Sequence, residues 1–162
     1  LAQIVGGVNM DGMAVNGRTR DVTVVGYGAS ELEDFLAAAA ADQGRVLRPE
    51  PTPEKGSYYR SDHFTLARKG VPMLYARAGI DSHEHGPEWG LQQNTDYISH
   101  RYHKPSDEFD PNWDLSGAIE DLELYFDVGL MLAMERGFPN WRPGNEFRAI
   151  RDQSRAGGAA SQ

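Results

Sequence analysis

Residues 99–110 read SHRYHKPSDEFD and gather His100, His103, Tyr102 and the carboxylates Asp107, Glu108 and Asp110 into twelve positions. Imidazoles bind metals or carry protons, a phenol can donate to developing negative charge, and carboxylates serve as ligands or bases. Loops are polar in any case, so this stretch carries a chemical reading only if other segments bring matching groups to it. Two segments can. A β-prone run, AQIVGGV, ends in the turn-like cluster NMDG, which puts Asp11 at a strand end, where α/β sites are commonly built. Further on, YRSDHF offers Asp62 and His63. A zinc ion held by histidine and carboxylate takes three or four ligands, with outer acids orienting each imidazole. These stretches supply two good candidates for direct ligands.

The remaining motifs favour plainer readings. The chain has five histidines, and taken singly each is more readily a packed or solvated residue than a ligand. His83-Glu84-His85 imitates a metal dyad, yet it lies between Asp81 and Gly86-Pro87 and reads as loop. GYGASE after a strand imitates the opening of a dinucleotide fingerprint, but Glu31 stands at the third glycine position and would repel a pyrophosphate.

A chain of 162 residues, 40% hydrophobic, is the size of one domain with a real core. The net charge of -8 and the lack of any Lys/Arg cluster argue against nucleic acid as the main partner. Cysteine is absent, so any metal must be held by His, Asp and Glu, and redox compartment is unreadable. FLAAAAA, the longest apolar run, is too short to span a bilayer. The chain opens Leu1-Ala2-Gln3 without an initiator methionine, so sequence is expected upstream.

The elements that must position these groups follow from periodicity and punctuation. VTVVGYG (22–28) reads as a buried strand. SELEDFLAAAAADQG reads as a helix with Ser30 as N-cap, Glu33 at the capping-box position and Gly44 as stop. RVLR then continues as a strand. The prolines of RPEPTPEKG (48–56) enforce a loop. SDHFTLARKG predicts a short helix capped by Ser61, and VPMLYAR a further strand. Residues 79–112 show little periodicity and read as a long ordered loop. DLSGAIEDLELYFDVGLMLAMER (114–136) sets Leu115, Ile119, Leu122, Tyr125, Phe126, Leu130 and Ala133 near a 3.6-residue period, the strongest helix signal in the chain. Beyond it the composition decays into Gly, Ala, Ser and Gln, so the last dozen residues are expected to be a flexible tail. The alternation of strands and helices predicts an α/β sheet protein.

In that order and spacing, VNMDG, YYRSDHFTLARKGVPMLYARAG and YISHRYHKPSDEFDPNWDLSG resemble the di-zinc aminopeptidases of the bacterial leucyl aminopeptidase type, a group related to glutamate carboxypeptidase and glutaminyl cyclase. The resemblance runs from about residue 4 to residue 135. It implies that the chain is part of a mixed-sheet, helix-flanked zinc-peptidase (phosphorylase/hydrolase-like) domain, with residues 1–137 as its C-terminal portion and 138–162 as an extension and tail. It implies two zinc ions, with Asp11 a ligand of one and also near the substrate's free α-amine, and His103 a ligand of the other. Tyr102 would donate to the scissile carbonyl as it becomes an oxyanion, while Asp62, His63 and Asp107 would support the site from outside. His100 has no counterpart. Two zinc ions sharing a water lower its pKa and clamp nucleophile and carbonyl oxygen together.

The same family needs a His-x-Asp segment, whose Asp bridges the metals, and a Glu-Glu pair supplying general base and ligand. No histidine here is followed two residues later by Asp, and no two glutamates are adjacent. The chain is therefore expected to be roughly the C-terminal half of a catalytic domain, inactive alone. It is expected to expose strand edges and apolar faces that the N-terminal half, or self-association, would cover. The implied function is removal of N-terminal residues from peptides. The alternatives are a peptidase-like binding module that never had the site, and glutaminyl cyclisation with one zinc. Secretion, or a periplasmic location, is an expectation of the resemblance.

Overall fold

The computed structural model describes residues 1–159, and side chains to residue 157. Four strands, β1 (Gly7–Asn9), β2 (Asp21–Val24), β3 (Val46–Pro49) and β4 (Met73–Ala78), form one sheet in the order β1-β4-β2-β3. β1 runs parallel to β4 and β2 parallel to β3, while β2 and β4 are antiparallel, so the sheet is mixed, as the resemblance implied. The flanking helices are α1 (Leu32–Asp42), α2 (His63–Ala67), α3 (Gly86–His100), α4 (Ser116–Met134) and α5 (Arg148–Ala159). Among the described residues no helix is long and apolar enough to cross a membrane.

The two-residue alternation of β4 divides the core. Leu74 and Ala76 join Val22, Val24, Leu32, Leu36, Leu124 and Val128 on the side of the sheet covered by α1 and α4. Met73 and Tyr75 face the opposite side, with Val25, Tyr58, Val71, Trp141 and Phe147. Tyr125 of α4 is buried and its hydroxyl donates to the Ala76 carbonyl at 2.8 Å, pinning helix to sheet. Burial holds that phenol well above its ordinary pKa, so it remains a donor. Tyr125→Phe is expected to cost about 1 kcal/mol, because the packing survives while a buried carbonyl loses its partner; a urea melt of the variant measures it.

Three expectations need correction. The stretch 79–112 is not one long loop, because it contains α3, a fifteen-residue helix that starts at Gly86-Pro87. Proline in the first turn favours that start. No α3 residue is buried, so the helix has no apolar stripe to reveal it. The helix predicted over 114–136 is present as α4, and of the apolar row named there only Tyr125 is buried. Leu115, Ile119, Leu122, Phe126 and Leu130 are exposed, whereas Ala118, Leu124, Tyr125 and Val128 are buried.

The expected tail is a helix as far as Ala159, and only residues 160–162 of it lie outside the described residues. Arg151 is buried and donates to the carbonyls of Ile4 and Val5 at 2.9 and 3.1 Å, while Arg155 donates to Ala2 and lies 3.6 Å over the Phe138 ring. Gly70 makes the approach of α5 possible. Its φ is +87°, and a Cβ there would stand 2.8 Å from the Arg151 backbone nitrogen.

Helix α1 starts at Leu32, and Ser30 does not cap it. Instead Glu33 reaches back to the amides of Gly28 and Ala29 at 2.8 Å and Ser30 at 3.3 Å. The amides of GYGAS that would face a phosphate in a nucleotide loop are thus filled by the chain's own carboxylate, in keeping with the rejection of that motif.

Candidate functional site

Asp11 follows β1 by two residues and sits exposed at the end of the strand. Its Oδ2 accepts a hydrogen bond from Ser61 Oγ at 2.6 Å and another from the Tyr75 hydroxyl at 3.3 Å. Asn9 Nδ2 donates to Ser61 Oγ at 2.8 Å, so that hydroxyl is committed in both directions. Ser61 was predicted to cap a helix. It holds a carboxylate instead, and α2 begins two residues later with no side-chain cap. Tyr75 lies opposite Asn9 in the β1–β4 register, which brings the phenol under Asp11. Burial first, and the nearby Asp11 charge second, raise the Tyr75 pKa, so the phenol keeps the proton it donates.

His63 lies beneath this group, 2% exposed, between Tyr58 and Tyr75 at ring distances of 4.6 and 5.0 Å. Neither ring nitrogen has a hydrogen-bond partner. Burial lowers its pKa, only partly opposed by Asp11 and Asp62. Asp62 itself is exposed at the start of α2. A histidine that folds neutral must shed its proton, so its contribution to stability is full above the ordinary value near 6.5 and is lost as pH falls below it. His63→Phe is therefore expected to flatten the pH dependence of stability. Urea melts at pH 8 and pH 5 should show the variant gaining on the parent toward pH 5, and equal losses would refute the assignment.

The second group is built by the end of α3 and the turn after it. Tyr102 is 45% exposed, and its ring stacks on His103 at 3.9 Å and 18°. His103 is exposed, with φ of +57°, the sole non-glycine residue with positive φ among those described. Such a conformation is uncommon for a side-chain-bearing residue and clusters at functional sites. Tyr97 packs edge-on to Tyr102 at 6.0 Å and donates to Asp107 Oδ2 at 3.0 Å. Ser106 and Lys104 tie the turn back to the His100 and Ser99 carbonyls. His100 turns its Nδ1 toward the Asp96 carbonyl, a local helix contact. Burial, the Asp107 bond and neighbouring charges raise the Tyr97 pKa, and Asp11 is one of those charges.

Two features separate this arrangement from a finished metal centre. Among the described residues no set of three or more His, Cys, Asp or Glu side chains is arranged to hold a metal ion. Taken alone, the donors of this chain do not fit a complete zinc site. A cleft between α1 and α4 also lies elsewhere, and neither Asp11 nor His103 lines it.

The sequence of the chain decides the family. The model for Peptidase family M28 matches residues 1–127. The chain belongs to peptidase family M28. No curated protein and no solved structure matches it. M28 members generally bind zinc, and both candidate groups, Asp11 with its donors and Tyr97 to Asp107, fall inside the M28 match. Trp141 and α5 follow it.

Three residues at the site escaped the sequence reading. Ser61 was assigned a different task, Tyr75 was hidden in an apolar strand, and Tyr97 lay in an unrecognised helix. The even spacing of Met73, Tyr75 and Arg77 in β4 could have shown that Tyr75 shares one face with them.

Proposed function

We propose that this chain carries one side of the site of a zinc-dependent M28 aminopeptidase, and that it is inactive until segments bearing His-x-Asp and Glu-Glu complete the site. The reading is supported by the hydrogen-bonded carboxylate of Asp11 and by the left-handed backbone and stacked rings of the Tyr102–His103 turn, both within the region matched by the family. Asp11 and His103 would each ligate one of two zinc ions, sharing them with donors from the completing segments. Ser61 and Tyr75 both donate to Oδ2 of Asp11, which restricts the carboxylate.

Tyr102 would supply the donor for a carbonyl oxygen acquiring negative charge. Such donors act by standing in place before the charge develops, and stacking on His103 restricts this ring. His63 supports the floor under Asp11 through Tyr75, Asp62 flanks it, and Asp107 orients Tyr97 against Tyr102. Residues 138–162 would be an extension beyond the peptidase portion.

The reading has two tests on the full-length protein. Metal analysis should find two zinc ions per chain, with Asp11→Ala and His103→Ala each lowering the content. Tyr102→Phe should reduce kcat on an aminoacyl-anilide by about 10²–10³ with little change in KM, as expected for loss of a donor used mainly in the transition state. A full-length protein free of zinc, or a Tyr102→Phe variant of undiminished kcat, would overturn the assignment.

A further inference from the structure

Strand β1 is three residues long and is paired on one side only, by β4. So short a ladder holds a strand weakly, yet Asp11, two residues beyond its end, stands in hydrogen-bond contact with Ser61 and Tyr75. The chain that enters β1, residues 1–6, lies in no strand or helix. Among the described residues, the side chains that hydrogen-bond to it are both on α5. Arg151 donates from Nη2 to the carbonyls of Ile4 and Val5 at 2.9 and 3.1 Å, and Arg155 from Nη1 to that of Ala2 at 3.0 Å.

Arg151 is a costly residue for that task. It is 1% exposed, no carboxylate among the described residues pairs with it, and its Nη1 has no hydrogen-bond partner. A buried cation without a counter-charge is unfavourable, and a well-packed apolar side chain in its place is often neutral or better. What an apolar side chain lacks is the rigid array of N–H groups, and here these groups hold successive carbonyls of the entering chain. The helix that carries them has a fixed seat. The Arg151 backbone packs on Gly70, where a Cβ would stand 2.8 Å from its nitrogen, and Trp141 donates to the Gly70 carbonyl. Gly70 leads through Pro72, whose carbonyl accepts from the Gly7 amide, into β4, which carries Tyr75. Both sides of the Asp11–Tyr75 contact are thus anchored to α5.

We propose that Arg151 is a positioning residue for Asp11. From α5, which lies beyond the region matched by the family, it fixes the chain entering β1 against the turn that leads into β4, and so sets Asp11 in register with Ser61 and Tyr75. The inference rests on the proposed function only in treating Asp11 as part of a site; the clamp itself is independent of that reading.

The test compares the whole chain with its Arg151→Met variant by amide hydrogen exchange, by the NMR resonance of the Asp11 carboxyl carbon and by urea melts. None of these needs metal or turnover, so a failure here is distinct from a failure of the peptidase reading. In Arg151→Met the amides of Ile4 and Gly7, which donate to the Leu1 and Pro72 carbonyls, should exchange at least tenfold faster. The Asp11 resonance should move toward its position in Ser61→Ala, where the carboxylate has lost a donor. The urea midpoint should stay at or above that of the parent, which a merely structural residue would not allow. Arg155→Met, at an exposed position, should likewise speed exchange at Ile4 without lowering the midpoint. Asp121→Ala is the opposite control: it should lower the midpoint from the other face of the sheet and leave the Asp11 resonance in place. An Asp11 resonance unmoved in Arg151→Met, unchanged exchange at Ile4 and Gly7, or a loss of stability with exchange faster at all amides alike overturns the proposal.

Discussion

Asp121→Ala is expected to destabilise the fold by about 3–5 kcal/mol, the scale on which removing one partner of a buried ion pair is felt. Arg45 and Asp121 are almost fully buried where the end of α1 meets α4, with the guanidinium 2.8 Å from Oδ1. Arg45 also donates to Gln43, Thr19 and the Asp21 carbonyl. Glu120, at 3.9 Å, faces it while being held by Arg18 at 2.6 Å. Deleting the Asp121 carboxylate leaves a buried cation with too little negative charge beside it. The pair itself is not a net gain to be assumed. Burial raises the Asp121 pKa even against the pull of Arg45, so desolvation is the larger effect and its ionised form is held at a cost. Hence the double replacement Arg45→Met with Asp121→Leu is expected to recover most or all of the loss. Urea melts of the single and double variants check both parts; a single variant within about 0.5 kcal/mol of the parent, an ordinary surface effect, would show that the network does not hold the two helices together.

Trp141→Ala should cost a similar amount, about 3–5 kcal/mol from the lost side chain and its cavity. The indole is fully buried, tilts against Phe147 at 5.2 Å and donates from Nε1 to the Gly70 carbonyl at 2.9 Å. Its backbone bridges Ser30, while Arg142 pairs with Asp34. The segment from Phe138 to Ala159 is thereby locked both to the start of α1 and to the turn before β4. Were it a loose appendage, the substitution would move stability by no more than a surface change, about 0.5 kcal/mol. Thermal unfolding of the variant separates the two cases.

These two sites also show where the sequence was readable and where it was not. The strand–helix–strand alternation was legible because β2, α1, β3 and β4 obey simple periods with glycine and proline between them. Helix α3 was not, because a helix with no buried residue leaves no periodic trace. In α4 the period was real but did not tell which face is buried, since a helix apolar on both sides gives the same sequence signal whichever side is buried. The end of the chain was misread through composition. Its Gly, Ala and Ser content suggested a loose tail, while Trp141 and Arg151 supplied the anchors.

Asp11, Tyr102 and His103 became candidates through the resemblance, and membership of family M28 agrees with the family it named. Ser61 and Tyr75 could be recognised only once the β1–β4 register placed them against Asp11.

The central claim is that this chain supplies part of a peptidase site and needs donors it does not contain. Its most direct test is the rate of aminoacyl-anilide hydrolysis with zinc, measured for the isolated chain and again after addition of a polypeptide bearing the His-x-Asp and Glu-Glu segments. The account predicts no turnover alone, turnover on combination, and its loss in Asp11→Ala and in His103→Ala. Strong turnover by the isolated chain would contradict it, as would a combined activity indifferent to those two substitutions.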